Sequence, residues 1–124
     1  MIYSEMEYLK EAVFDILAMG EYRGHRYVVI SYGYHPCAYV SMPKGRAILT
    51  SGIVCHGGIT YVNKDLEGIP SDENTWWIGW DYAHHGDYSG LLWLMGGKKW
   101  TTKEIVEECE RVIEQIEDDE NVKE

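Results

Sequence analysis

The chain has 124 residues, 45% of them hydrophobic and 13% aromatic, which is the make-up of a single globular domain and excludes a disordered chain. Its net charge of −10 is uneven: residues 104–124 hold ten acids and two bases, residues 1–103 eleven acids and nine bases. That acidic segment repels long polyanions, which excludes general nucleic-acid binding but leaves room for a small phosphate-bearing ligand.

No apolar run approaches the ~20 residues of a membrane span. The opening Met1-Ile2-Tyr3-Ser4-Glu5-Met6-Glu7 lacks the charged and apolar regions of a signal peptide. Three cysteines without close pairing fit a reducing cytosol, so a cytoplasmic location is expected. Ten tyrosines stand against one phenylalanine. Tyrosine joins an apolar ring to a polar tip and suits pockets and interfaces that stay partly wet.

In chain order, residues 4–19 carry the pattern of an amphipathic helix. Ser4 and Glu7 form a capping box, Tyr3 and Tyr8 a hydrophobic staple, and Leu9, Ala12, Val13, Ile16 and Leu17 an apolar stripe. Gly20 suits the left-handed position that ends a helix. Strands are expected over Arg26–Tyr32 and Cys37–Val40, joined by a turn of about four residues punctuated by Gly33 and Pro36. Residues 43–52 read as a connecting loop. A third strand region spans Ile53–Val62, interrupted at His56-Gly57-Gly58, where paired glycines mark a bulge or a close approach. Residues 63–73 are turn-like.

Thr75–Asp81 is the central strand. Trp76, Trp77, Ile78 and Trp80 fit a pleated, buried surface. The strand then opens into Asp81, His84, His85 and Asp87 among glycines, the arrangement in which a rigid scaffold delivers polar groups to a loop. Residues 91–97 are apolar but too short to assign by periodicity. Thr101 and Glu104 form a second capping box, with Trp100 stapled to Ile105. Ile105, Val106, Cys109, Val112, Ile113 and Ile116 make a narrow stripe that docks on the sheet or on a partner helix. Beyond Glu117 the sequence reads as a frayed acidic tail. The expectation is an α+β domain over residues 1–118, an antiparallel sheet with an N-terminal and a C-terminal helix, followed by an acidic tail at 119–124.

The ligand set for zinc is absent from the spacing. Cys37, Cys55, His56, Asp81, His84, His85 and Asp87 include no Cys pair or His pair at zinc-site intervals, so no metal and no cofactor is expected. For catalysis, His84 or His56 beside Asp81 or Asp87 has the composition of a general base with its orienter, and Cys55 neighbours His56. No nucleophile elbow, phosphate-binding Gly-rich loop or dinucleotide fingerprint joins these groups. Binding without turnover has more support: rings for stacking a base, Arg23, Arg26, Lys44, Arg46, Lys98 and Lys99 for phosphate, and Asp81 and Asp87 to accept from hydroxyls or an amine.

Four blocks carry a family resemblance: Gly24-His25-Arg26-Tyr27-Val28-Val29, His35-Pro36-Cys37-Ala38-Tyr39-Val40, His56-Gly57-Gly58-Ile59-Thr60-Tyr61, and Trp76-Trp77-Ile78-Gly79-Trp80-Asp81-Tyr82-Ala83-His84 followed by Gly86-Asp87. In combination and order they resemble the phage Thoeris anti-defence sponges of the first type. The resemblance covers about half the chain. It implies a non-enzymatic protein that captures the cyclic ADP-ribose isomer made by a host TIR-domain enzyme, and an oligomer that binds ligand between subunits. It also implies that some relatives hold cyclic oligonucleotides at a separate site. The other readings are a small nucleotide-signal hydrolase using His/Asp acid–base chemistry and a protein that blocks a host factor through its acidic surface.

The matched blocks and the ligand chemistry together give the expected binding residues Arg23, Arg26, Lys44, His56, Gly57, Trp80, Asp81, His84, Asp87, Tyr88 and Arg111, with His84 and Asp87 at a pocket mouth near His56. Arg111 has a second fate, an ion pair at helical spacing with Glu107 or Glu114. A homo-oligomer, a dimer or hexamer, is expected, joined partly through the C-terminal helix stripe.

Overall fold

The computed structural model describes residues 15–31, 35–43, 50, 52–64, 66, 68–69, 75–83 and 98–123. The first described element is a hairpin made by two residues of positive φ. Arg23 (50°) and Gly24 (85°) have the backbone of a type I′ turn, whose twist matches that of the strands it joins. They connect β1 (Asp15–Tyr22) to β2 (His25–Ser31), with Tyr22 opposite His25 and Asp15 opposite Ser31. The helix expected over residues 4–19 is corrected here. Residues 4–14 lie outside the described residues, but Asp15–Met19 are strand, and Gly20 continues that strand rather than capping a helix. Ile16 and Leu17 fit a helical stripe by spacing, but the pairing of Ile16 and Ala18 with β2 on either side of Leu17 decides their conformation, because local propensity is a weak preference that tertiary contacts override.

β3 (Pro36–Pro43) pairs with β2, and Ser31 opposite Pro36 leaves the four-residue link expected between them. β5 (Thr75–Asp81) follows the sequence reading and pairs with β3, while β4 (Tyr61–Asn63) pairs with the other side of β5. All pairings are antiparallel and the order is β1-β2-β3-β5-β4. The strand expected over Ile53–Val62 is reduced to its last two residues plus Asn63. Gly57 and Gly58, with φ of 72° and 81°, turn the preceding chain out of any ladder.

The central strands β2, β3 and β5 are buried on both faces, which explains why Val28, Val29 and Ile30 read as an unbroken apolar run rather than an alternation. One face carries Val29, Ala38, Val40, Met42, Ile78 and Trp80; the other carries Val28, Ile30, Cys37, Tyr39 and Trp77, covered in part by Leu66 and Ile69. The first face is closed by α1 (Thr102–Lys123). Its capping box forms as expected: Thr101 N donates to Glu104 Oε1 at 3.0 Å and Glu104 N donates to Thr101 Oγ1 at 3.2 Å. Ile105, Cys109, Val112, Ile113 and Ile116 are buried in the cluster with the strands, and Trp100 and Val106 pack against it. The stripe therefore finds its cover on the sheet of its own chain, which corrects the expectation that it joins two subunits. The helix also continues through Lys123, so the segment read as a frayed tail has helical backbone. An α+β domain with an antiparallel sheet and a C-terminal helix is the architecture observed. No helix among the described residues is long and apolar enough to cross a membrane.

Candidate functional site

Residues 52–60 lead into β4 as a pinned, irregular segment. Ile53 N donates to Thr50 O at 3.1 Å. Val54 is then held by one side chain: its N–H donates to Gln115 Oε1 at 2.8 Å, and its carbonyl accepts from Gln115 Nε2 at 2.7 Å. The side-chain amide thus does what a neighbouring strand would do. Gly58 N donates to Cys55 O at 3.0 Å, closing a tight turn with His56 and Gly57 at its centre. Thr60 N donates to Gly79 O at 2.9 Å and leads into β4.

That turn places His56 against two aromatic rings. Its imidazole stacks on Tyr82 with centroids 4.7 Å apart and planes 8° from parallel. It meets the Trp100 ring at 4.9 Å, and Tyr82 and Trp100 lie 5.3 Å apart. The Lys98 ammonium sits 3.9 Å from the Trp100 ring centre and 2.9 Å from Glu104 Oε2. A cation held this way is attracted by the negative face of the indole. Beneath the rings, Trp80 Nε1 donates to the Tyr82 hydroxyl at 3.1 Å. Burial pushes that hydroxyl well above the usual phenol range, so Tyr82 is a neutral ring at any ordinary pH. Burial, with a further push from Glu108, raises the Cys55 thiol to about 11. A thiol so protonated is a poor nucleophile.

Asp81 ends β5 on the opposite face of the sheet. Its carboxylate accepts from Ala83 N at 3.1 Å and from the Thr60 hydroxyl at 3.4 Å. Nearby, Cys37 Sγ lies 3.8 Å from His35 Nδ1, and burial followed by the Asp81 charge pushes the Cys37 thiol up to about 11.

The expected residues therefore divide. His56 and Gly57 share the turn at the ring cluster, Trp80 supports it from the core at 1% exposure, and Asp81 stands one residue before Tyr82. Arg26 lies over Trp77 on the other face, 5.4 Å from the ring centre. Arg23 occupies the β1–β2 turn. Arg111 pairs with Glu108 at 3.7 Å, an ion pair at helical spacing but with a different glutamate from the two expected. Lys44, His84, Asp87 and Tyr88 lie outside the described residues. Sequence reasoning passed over Tyr82, Trp100 and Gln115 as site groups. Tyr82 was legible as the next aromatic after the Trp strand; nothing local marks Gln115, whose role depends on a loop 61 positions away. Among the described residues no group of three or more His, Cys, Asp or Glu is placed to hold a metal ion.

Comparison with protein-family models, with curated proteins and with solved structures finds no match.

Proposed function

We propose that the chain is a sequestering protein: it binds a cyclic ADP-ribose-type nucleotide made by a TIR-domain defence enzyme and holds it without cleaving it, so that host Thoeris immunity is blocked. The observation that carries this reading is the His56–Tyr82–Trp100 cluster with the Lys98 ammonium at its rim. Tyr82 is buried and backs the cluster, while the part-exposed His56 and Trp100 rings offer a stacking face to a nucleobase, and a lysine beside them offers a point charge to phosphate. The protonated Cys55 thiol beside His56 favours binding over nucleophilic turnover. The four sequence blocks add the family resemblance, and they contain His56, Gly57, Asp81 and Tyr82 of this region.

The same reading places the protein in the host cytoplasm, keeps an N-terminal amphipathic helix for the part of residues 4–19 that precedes β1, and makes the working form a homo-oligomer. Cyclic oligonucleotides are a second ligand class within its scope.

The test is retention and release. The purified protein is incubated with a TIR-derived cyclic ADP-ribose isomer, freed of unbound ligand by gel filtration, and heated; the supernatant is then analysed by chromatography. Intact ligand recovered in stoichiometric amount supports the proposal. Steady conversion over many turnovers identifies a hydrolase instead. Failure to retain any ligand leaves the protein-blocking reading.

A further inference from the structure

We propose that Lys98 is a charge-operated cover on the Trp100 ring, latched by Glu104, so that the site admits a base that carries a phosphate and turns away the same base without one. This rests on the reading of the ring cluster as a nucleotide site and adds the residue pair that sets its specificity.

The platform comes first. Of the two part-exposed rings, His56 already has one face against Tyr82, in planes 8° from parallel, which leaves the larger Trp100 as the broader surface for a base. The Lys98 ammonium lies 3.9 Å from the centre of that indole. At that distance the charge stands over a face of the ring, inside the about 4.5–7 Å that separates the centres of two stacked rings. A base cannot stack on that face until the ammonium leaves it.

Glu104 decides where the ammonium rests. Its Oε2 lies 2.9 Å from Lys98 Nζ. Its Oε1 is held independently, accepting from the Thr101 N–H at 3.0 Å and from the Thr101 hydroxyl at 3.2 Å. The helix cap therefore fixes the carboxylate whether or not the lysine is present. Lys98, on a flexible stem with its side chain 51% exposed, is the partner that can move. Opening the cover breaks one exposed ion pair, of the kind that is worth little, and one cation–π contact.

Two kinds of ligand meet this cover differently. A neutral base gains the ring but strips Lys98 of both partners and returns nothing to it. A base with a phosphate gains the ring and gives the ammonium a new anion. The phosphate cannot take the ammonium where it rests, because Glu104 would then stand beside a second negative charge. The ammonium has to swing from Glu104 to the phosphate, and the same swing uncovers the ring. Lys98 thus touches the ligand, and Glu104 is a positioning residue that acts through it.

A chemical-shift titration of the Trp100 indole N–H in the full chain reads the proposal, with adenosine and adenosine diphosphate as probes and circular dichroism as a fold check. Wild type should bind the diphosphate about fivefold more tightly than adenosine, the scale of one exposed ion pair. Lys98→Ala uncovers the ring and removes the charge: adenosine should bind more tightly than it does to wild type, and the preference for the diphosphate should vanish. Glu104→Gln loosens the latch and removes the repelling charge, so the diphosphate should bind several-fold more tightly. Lys103→Ala removes an equal charge from the first turn of α1 and should leave the preference in place. Adenosine binding that Lys98→Ala leaves unchanged overturns the cover. Diphosphate binding that Glu104→Gln leaves unchanged overturns the latch. A preference lost equally in Lys103→Ala, or a wild-type Trp100 signal that neither probe moves, overturns the inference as a whole. Retention of the TIR-derived isomer by wild type is read separately. Isomer retained while the variants behave alike sinks this inference alone; isomer lost while the preference follows Lys98 sinks sequestration alone.

Discussion

His25 and Glu117, separated by 92 positions, meet at 3.1 Å between the imidazole Nε2 and the carboxylate. The other ring nitrogen, Nδ1, lies 2.7 Å from the carbonyl of Ser41. A carbonyl only accepts, so Nδ1 carries a proton and donates. The ring thus ties β2, β3 and α1 together at a buried point. His25→Ala should cost about 1–3 kcal/mol, the scale for leaving a buried acceptor unpaired. Glu117 is 27% exposed at its side chain, so Glu117→Ala, whose lost partner is replaced by water, should cost less. Urea denaturation of the two variants checks the order; equal, negligible losses would show that the tie contributes nothing.

The start of α1 makes stability depend on pH in the acid range. The Thr101 N–H, then Lys98, hold the Glu104 carboxyl below the usual carboxylate range. A depressed folded pKa stabilises above the unfolded value, near 4.3 for Glu, and that stabilisation is lost as pH falls through the folded value. Wild type should therefore exceed Glu104→Gln in urea midpoint at neutral pH, and the gap should close below about pH 4. Thr101→Ala should cost about 1 kcal/mol, as is usual for losing an N-cap. A gap between wild type and Glu104→Gln that persists unchanged into acid would contradict the assignment.

Thiol chemistry offers a third check. Burial raises Cys37 and Cys55 to about 11 and Cys109 to about 12. At pH 8 the native protein should react with a disulfide reagent far more slowly than a free thiol, and all three cysteines should react at once in denaturant. Half-buried Cys55 should lead in the native state. Rapid native labelling of any cysteine would mean that its surroundings open.

Gln115 holds the ring cluster in place through backbone it never shares. Removing its two hydrogen bonds to Val54 by Gln115→Ala should cost about 1 kcal/mol, since both are exposed and each such bond is worth little net. Nucleotide affinity should fall more than stability does, because the His56 turn loses its anchor. The His56 ring protons, shielded by Tyr82 in wild type, should shift towards free-histidine positions in the proton spectrum. Gln115→Glu, which keeps only the acceptor, should fall between. An unshifted His56 in the alanine variant would detach Gln115 from the site.

Gly79 tests the packing of the second face. A Cβ built there would lie 2.5 Å from the Tyr39 ring and 2.9 Å from the carbonyl oxygen of Ala38. The carbonyl belongs to the central ladder and cannot retreat as a flexible side chain does. Gly79→Ala should destabilise by about 1–3 kcal/mol, the usual cost of overpacking a core, and should also disturb the Tyr39–Tyr61 edge contact at 5.2 Å. A neutral melting temperature would show that the strands move apart freely.

Legibility in the sequence followed the range of the interactions. Thr101 and Glu104 are three residues apart and settle their own geometry, so the start of α1 was readable. The tryptophan strand was readable because its composition fits one environment. Asp15–Tyr22 was not, since apolar spacing alone cannot register a partner strand, and the turn that fixes it is Arg23-Gly24 rather than the familiar Asn-Gly. His56 stood out as a histidine between cysteine and glycine, yet its neighbours Tyr82 and Trp100 come from opposite ends of a long intervening segment. Arg26 and Asp81 looked like companions of His56 but sit on the other side of the sheet, a distinction that period-two alternation decides only once the strand's inward face is known.

The order of elements has a consequence for synthesis. Translation delivers the five described strands before α1, so the apolar face of Val29, Ala38, Val40, Ile78 and Trp80 waits for its lid. At an elongation rate of about 5–20 residues per second, the 22 residues of α1 take about one to four seconds to appear. During that interval a nascent sheet rich in tryptophan is open to capture by chaperones or by other unfinished chains. Synonymous codons that slow translation across residues 102–123 would lengthen the exposure without changing one atom of the finished molecule.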